Sequence, residues 1–261
     1  MPTQVHCNLE QRVGKIYVQN YRENEMPDPT PPTNRRERLR REMIAEIKAL
    51  ARQQMTLAGP GAVSLNAIAR QLGVSPAAIY RYFDGIGALL TELTLEGLSV
   101  LENKIKSALV IVAPLGLRAE LRAIGLTYWQ WAIENQADFM LMNAYPVPGY
   151  EPPEEVIEPA VQKVFVLFLD VLQRAHQAGK LNIPDISHLA NQPHWESYQK
   201  YDQLWREKYG VAVPLAVYHY GFAGLSLFNG LVLLHMQQRF APAFPDGVEI
   251  ELSAFLDRIG L

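Results

Sequence analysis

From residue 33 onward, apolar positions recur at spacings of three and four, the signature of helices with one buried face. Leu39, Met43, Ile47, Leu50 and Ala51 form one such stripe, widened by Ile44 and Met55. It predicts a helix that starts at Thr33 or Asn34, both competent N-caps, and ends at Gly59-Pro60-Gly61. Ser64 caps a second, short helix with Leu65, Ile68, Ala69 and Leu72 on its inner face, stopped by Gly73. Ser75 caps a third, with Pro76 in the first position, where a missing N–H costs nothing. That helix is expected over Ala77 to Phe83 and is broken by Asp84-Gly85. A longer fourth helix follows from about Ile86 to Leu109, before Pro114 and Gly116.

The remainder repeats the same period. Helices are expected at Leu117–Asn135, Ala137–Met142, Glu154–Ala178 and Pro214–Arg239, with a last one near Glu249–Ile259, and His194–Tyr209 reads as one more. No alternating run bounded by hairpin turns occurs, so the class is all-α. Residues 1–33 keep no period, and the four prolines of Met26–Pro32 suit a stiff, extended tether. The expected organisation is a flexible extension (residues 1–33), a three-helix N-terminal domain (34–84) and a C-terminal helical domain (85–261). Leu215–Met236 is the most apolar stretch, but His219, Asn229 and His235 interrupt it, and no membrane span is expected. The N-terminus lacks a basic stretch followed by an apolar run, so no signal peptide is expected. The single cysteine, Cys7, excludes an internal disulfide framework and a Cys-rich zinc site. A reducing, cytoplasmic location follows.

Charge divides the chain. Residues 34–84 hold 9 basic and 4 acidic side chains, whereas residues 85–261 hold 12 basic and 19 acidic. A basic segment on an acidic body suggests a polyanion-binding module, although a merely solvated helix face has the same composition. Within the basic segment, Ser64 to Phe83 reads as two short helices joined by a tight turn. Ala69 is small where the helices cross. Gly73 can take the left-handed conformation that ends the first helix, Val74 packs under the turn, and Ile79 points back to the core. Ala77, Tyr80 and Arg81 then face outward, as a helix bound for the DNA major groove requires. Candidate DNA contacts on this segment are Ser64, Asn66, Ser75, Pro76, Ala77, Tyr80, Arg81 and Tyr82. Arg35, Arg36, Arg38 and Arg40 are candidate partners of backbone phosphates.

The run Ser64-x-x-x-Ile68-Ala69-x-x-x-Gly73-Val74-Ser75-x-x-x-Ile79-Tyr80-x-Tyr82-Phe83, followed by Ala88-Leu89-Leu90, resembles the DNA-binding domain of TetR/AcrR-type transcriptional regulators. The match covers about Arg35 to Leu98. Weaker similarity to one C-terminal subtype lies in Tyr128-x-x-Trp131-Ala132 with Phe139, and in Phe228-Asn229-Gly230-Leu231-Val232. The resemblance implies an all-α homodimer with an N-terminal three-helix reader and a C-terminal ligand-binding and dimerisation domain, and no cofactor. One departure stands out. Members commonly carry a polar-basic pair after the Tyr-x-x-Phe, whereas this chain has Asp84-Gly85-Ile86-Gly87. A basic phosphate contact is therefore missing, and backbone amides at the start of the fourth helix, approached past Gly85 and Gly87, are its candidate replacement.

Aromatic and methionine side chains crowd the C-terminal region. Tyr128, Trp131, Phe139, Met142 and Tyr145 are candidate walls of a chamber for an apolar or aromatic small molecule, with Tyr218, His219 and Phe222. Ordinary core packing is the alternative for each. His219, Asn229 and His235, if buried, need partners, either a ligand or a neighbouring helix. Asp185, His188 and His194 are weak candidates for a metal site, and no nucleophile-elbow, phosphate-loop or zinc-protease motif occurs. The chain is thus expected to be a non-enzymatic repressor that binds a pseudo-palindromic double-stranded operator as a homodimer and is released by a small effector. The alternatives are a helical small-molecule-binding or catalytic protein with an incidental basic segment, and an activator or nucleoid-associated protein without an effector.

Overall fold

The computed structural model describes residues 34–143, 147–183, 186, 195–210, 213–237 and 247–261. These residues form ten α-helices and no strand: α1 (Arg35–Ala58), α2 (Leu65–Gln71), α3 (Pro76–Ile79), α4 (Gly85–Val112), α5 (Leu117–Glu134), α6 (Gln136–Asn143), α7 (Glu154–Gln177), α8 (Trp195–Tyr209), α9 (Leu215–Met236) and α10 (Gly247–Arg258). The all-α class expected from the periodicity is the one observed. The extension at residues 1–33, Cys7, and the weak metal candidates Asp185, His188 and His194 lie outside the described residues.

Among the described residues the chain divides into two units between Glu46 and Ile47. The second unit begins within α1, and Lys48 and Arg52 of that part bond to Glu92, Glu96 and Asp138. In the first unit, Asn34 Oδ1 accepts from the Glu37 N–H at 2.9 Å and caps α1. Ion pairs Arg38–Glu42 and Arg41–Glu37, each at 3.6 Å, line that turn of helix. Leu39, expected on the buried stripe, is 50% exposed. The fully buried face of α1 begins at Ile47 and continues through Ala51 and Met55.

In the second unit α4 is the spine. Leu89, Leu93, Leu98, Leu101, Ile105 and Val112 are all buried along its 28 residues. It packs on α5, α6 and α7, while α10 and α9 cover the other side of α5. Fully burying side chains of this size stabilises the fold by about 2 kcal/mol each. Glycines set the closest approaches: a Cβ on Gly224 of α9 would lie 2.8 Å from the Phe255 ring of α10. Helix α9 is the one described helix long and apolar enough to cross a membrane. Its buried positions, among them Val217, Tyr218 and Phe228, belong to the core shared with α5 and α10. Helix α9 ends at Met236, short of the Arg239 expected from sequence, which lies outside the described residues.

Candidate DNA interface and ligand chamber

The turn between α2 and α3 is built by its glycine. Gly73 has φ +67°, and its N–H donates to the Arg70 carbonyl at 3.2 Å while the Val74 N–H donates to the Ala69 carbonyl at 3.0 Å. This pair of bonds closes the C-terminus of α2 in the Schellman arrangement. At the other end of α2, Ser64 Oγ accepts from the Ala67 N–H at 3.3 Å, and the Ser64 N–H donates to Gln54 Oε1 at 2.8 Å. Ser64 thus caps α2 and ties it to α1. Ile68, Ala69 and Ile79 have no exposed surface, so α2 and α3 are fixed to the core by the residues the spacing assigned there.

Helix α3 departs from expectation in two ways. Ser75 occupies the N-cap with its backbone, accepting from the Ala78 N–H at 2.9 Å, and its side chain makes no capping bond. The helix also stops at Ile79 instead of Phe83. Beyond it the Arg81 and Tyr82 N–H groups bond to carbonyls three residues back, a tightening that carries Phe83 into the core at 3% exposure. Ser75, Pro76, Ala77, Tyr80 and Arg81 are exposed, with Tyr80 at 54%, and Tyr82 is half-buried. Asn66 on α2 is exposed as well. In the first unit, Arg35, Arg36, Arg38 and Arg40 are all exposed.

At the start of α4 the substitute phosphate contact is partly preoccupied. The Gly85 N–H already donates to the Phe83 carbonyl at 2.9 Å. A Cβ on Gly87 would touch the Tyr150 ring at 3.5 Å, so that space faces a side chain of the same unit.

A charged cluster ties α1 to α4 and α6. Arg52 Nε donates to both carboxylate oxygens of Asp138, at 2.9 and 3.1 Å, and an Arg52 Nη donates to Glu96 at 3.1 Å. Lys48 adds contacts to Glu92 at 2.9 Å and Glu96 at 3.4 Å. The Asp138 side chain is 7% exposed and that of Arg52 29%. Burial raises the Asp138 carboxyl above its ordinary value, and the Arg52 bonds and charge only partly reverse this. Burial lowers Arg52, but the Asp138 bond and charge more than offset it and leave it raised. Gly97 on α4 makes the cluster possible, since a Cβ there would lie 3.3 Å from both Asp138 Cβ and Met142 Cε. An acid amid the apolar residues of α6 was the one sequence signal for this site, which composition and motif reading passed over.

The chamber lies among α4, α5, α6, α7, α9 and α10 and has a volume of about 320 Å³. Of the predicted walls, Tyr128, Trp131 and Met142 line it. Phe139 does not: it has no exposed surface and is packed in the core, its ring 6.3 Å from Tyr128. Tyr218 is likewise core, and burial beside the Asp202 carboxylate pushes its phenol up to about 12. His219 faces α8, where its Nδ1 lies 3.0 Å from the Tyr198 hydroxyl, and Phe222 stacks behind Phe165, which does line the chamber. Tyr145 lies outside the described residues. Sequence reading missed Val161, Phe168 and Phe255, and the glycines Gly125, Gly221 and Gly224, against which Leu252 and Phe228, Phe168, and Phe255 respectively close. The polar interruptions of α9 find protein partners. Asn229 Oδ1 accepts from the Tyr128 hydroxyl, whose pKa burial raises, and His235 stands edge-on to Trp129 at 4.9 Å.

Comparison with known proteins agrees with this arrangement. Residues 47–93 match the family model described as bacterial regulatory proteins, tetR family, and residues 121–258 match a tetracyclin repressor-like C-terminal domain. The HTH-type transcriptional regulator Rv1816 of Mycobacterium tuberculosis is 30% identical over 164 residues, which are 63% of this chain and 69% of that protein. The crystal structure of the regulatory protein SCO4313 superposes with a TM-score of 0.65 at 25% identity, covering 87% of this chain and 98% of that one. A tetR-family protein from Rhodococcus RHA1 shares the fold, with a TM-score of 0.60 at 18% identity over 84% of this chain and 97% of that one. A short reader helix locked by Gly73, attached to helices of the same family's C-terminal type, makes the chain a member of the tetR family of helix-turn-helix transcriptional regulators.

Proposed function

We propose that this regulator is a homodimeric, ligand-released repressor acting in the cytoplasm on a pseudo-palindromic operator. Two reader helices held about 34–36 Å apart match successive major grooves on one face of the duplex. Ser75, Ala77, Tyr80 and Arg81 would touch bases or phosphates, supported by Asn66, Pro76 and Tyr82. Arg35, Arg36, Arg38 and Arg40 would neutralise backbone phosphates. Dimerisation would use C-terminal helices, including α9, on which Leu225 and Leu227 remain exposed.

The observation that carries the regulatory half is the double duty of α6. Its Leu141 and Met142 line the chamber, and one turn earlier its Asp138 holds Arg52 of α1. A ligand that shifts α6 therefore pulls on the first helix of the DNA-binding domain. It can do so only through unequal affinity for the two arrangements. A tenfold loss of operator affinity requires about 1.4 kcal/mol of that difference. A gel shift on the DNA flanking the gene, at fixed salt, tests the reading. Retention of that fragment by two protomers, surviving excess unrelated duplex, is expected. Equal retention of any duplex would overturn it.

A further inference from the structure

We propose that Tyr150 is a positioning residue that the occupant of the chamber must unseat from α4, a step that rests on the ligand-release reading above. Three contacts meet at this side chain. It lines the chamber. Its hydroxyl lies 2.9 Å from Thr91 Oγ1 on α4. Its ring sits where a Cβ on Gly87, one turn earlier, would meet Cδ2 at 3.5 Å. Tyr150 is also the one residue shared by the chamber wall and by an outer groove along the first turns of α4, formed with Gly87, Ala88, Thr91 and Leu95. The side chain is thus a partition, with the chamber on one side and α4 on the other. Its seat also gives a role to the glycine-rich stretch that replaces the usual basic phosphate contact. A methyl group at position 87 would already touch the ring, so the small residue keeps the seat open.

The backbone at Tyr150 reaches further. Val147-Pro148-Gly149-Tyr150 is a type II turn: proline fixes its first corner, Gly149 takes φ +77°, and the Tyr150 N–H donates to the Val147 carbonyl at 3.0 Å. Such a turn moves as one piece. Its Pro148 Cδ lies 3.6 Å from where a Cβ on Gly61 would stand, in the connection between α1 and α2. One rigid turn therefore touches α4 through Tyr150 and the DNA-binding domain through Pro148. Arg52 and Asp138 couple the same domains, but neither lines the chamber, whereas an occupant meets Tyr150 directly. An occupant pressing on that wall lifts the ring from Gly87 and breaks the bond to Thr91. The bond then belongs to the arrangement that holds ligand less tightly, and removing it depopulates that arrangement. One hydrogen bond of this kind corresponds to about a fivefold change in an equilibrium.

Thr91→Val isolates the bond, because Thr91 does not line the chamber and valine keeps its shape. Fluorescence titration of the full-length protein with the neutral dye Nile red reads the result. Thr91→Val is expected to bind the dye about fivefold more tightly than the unaltered protein, with the melting temperature little changed. Tyr150→Phe removes the same bond from its other end and should tighten the dye by the same factor. The double variant should gain no more than either alone. Val161→Trp narrows the chamber from α7 and should weaken the dye at least about tenfold, which places the dye there. Dye affinity unchanged or weakened in Thr91→Val overturns the inference. So do additive gains in the double variant, dye binding that Val161→Trp leaves untouched, or no dye binding by the unaltered protein. The two readings fail separately. Dye affinities decide the role of Tyr150, while a flanking DNA fragment that is never retained, or stays retained at every dye concentration, sinks the release reading.

Discussion

Removing the two partners of the Arg52–Asp138 pair should have unequal consequences. Arg52→Met leaves a carboxylate that is 7% exposed without the two bonds, at 2.9 and 3.1 Å, that hold it. Breaking a buried pair in this sense costs about 3 kcal/mol, since the surviving charge has neither water nor partner. Asp138→Asn leaves Arg52 29% exposed, still bonded to Glu96 at 3.1 Å, with an amide oxygen in place of the carboxylate. Its cost should be about 1 kcal/mol. The pH dependence has a definite sign. Burial already raises Asp138, and Arg52 is the partner that lowers it, so Arg52→Met raises it further. The stabilisation that Arg52 confers is therefore complete where Asp138 is ionised in both proteins. It disappears as the pH falls through the raised titration range, where a protonated Asp138 needs no cation. Urea unfolding of both variants at about pH 7.5 and about pH 5 reads these terms directly. Equal destabilisation by the two substitutions at the higher pH would refute the reasoning. A penalty for Arg52→Met that persists undiminished in acid would do the same.

Other outcomes follow from the reader helix and its supports. Tyr80→Ala and Arg81→Ala should each weaken operator binding by about tenfold in a gel shift while leaving the melting temperature nearly unchanged, because both side chains are exposed. Gly73→Ala forces a side chain onto φ +67° with open space around it, so strain alone acts, and denaturation should show a loss of about 1 kcal/mol. Ser64→Ala removes the cap on α2 and should cost about 1 kcal/mol in the same assay, with operator affinity falling in step. Arg36→Ala should reduce the slope of log affinity against log salt by about 0.9 if Arg36 meets a phosphate.

What the sequence made legible was chiefly what local chemistry decides. A glycine in the left-handed region at 73, a hydroxyl cap at 64 and buried Ile68, Ala69 and Ile79 each follow from spacing and residue type, and the structure has them all. The length of α3 was not legible. Its end is set by Phe83 reaching the core through tightened turns, and a period of 3.6 cannot register that. The chamber was half legible. Aromatic content located the region, but only tertiary packing decides that Trp131 reaches the wall while Phe139, one helix later, is sealed in the core. Arg52 and Asp138 are 86 positions apart, and no local pattern links them. Even so, a lone acid among the apolar residues of α6 needed a partner on physical grounds.

Hydroxyl-radical footprinting of the chain on the DNA flanking its gene bears most directly on the claim that α3 is a paired major-groove reader. Two protected half-sites about 10 base pairs apart on one face of the duplex, both needing about tenfold more protein with Arg81→Ala, are the predicted result. A single protected site, or uniform protection along the fragment, would contradict it.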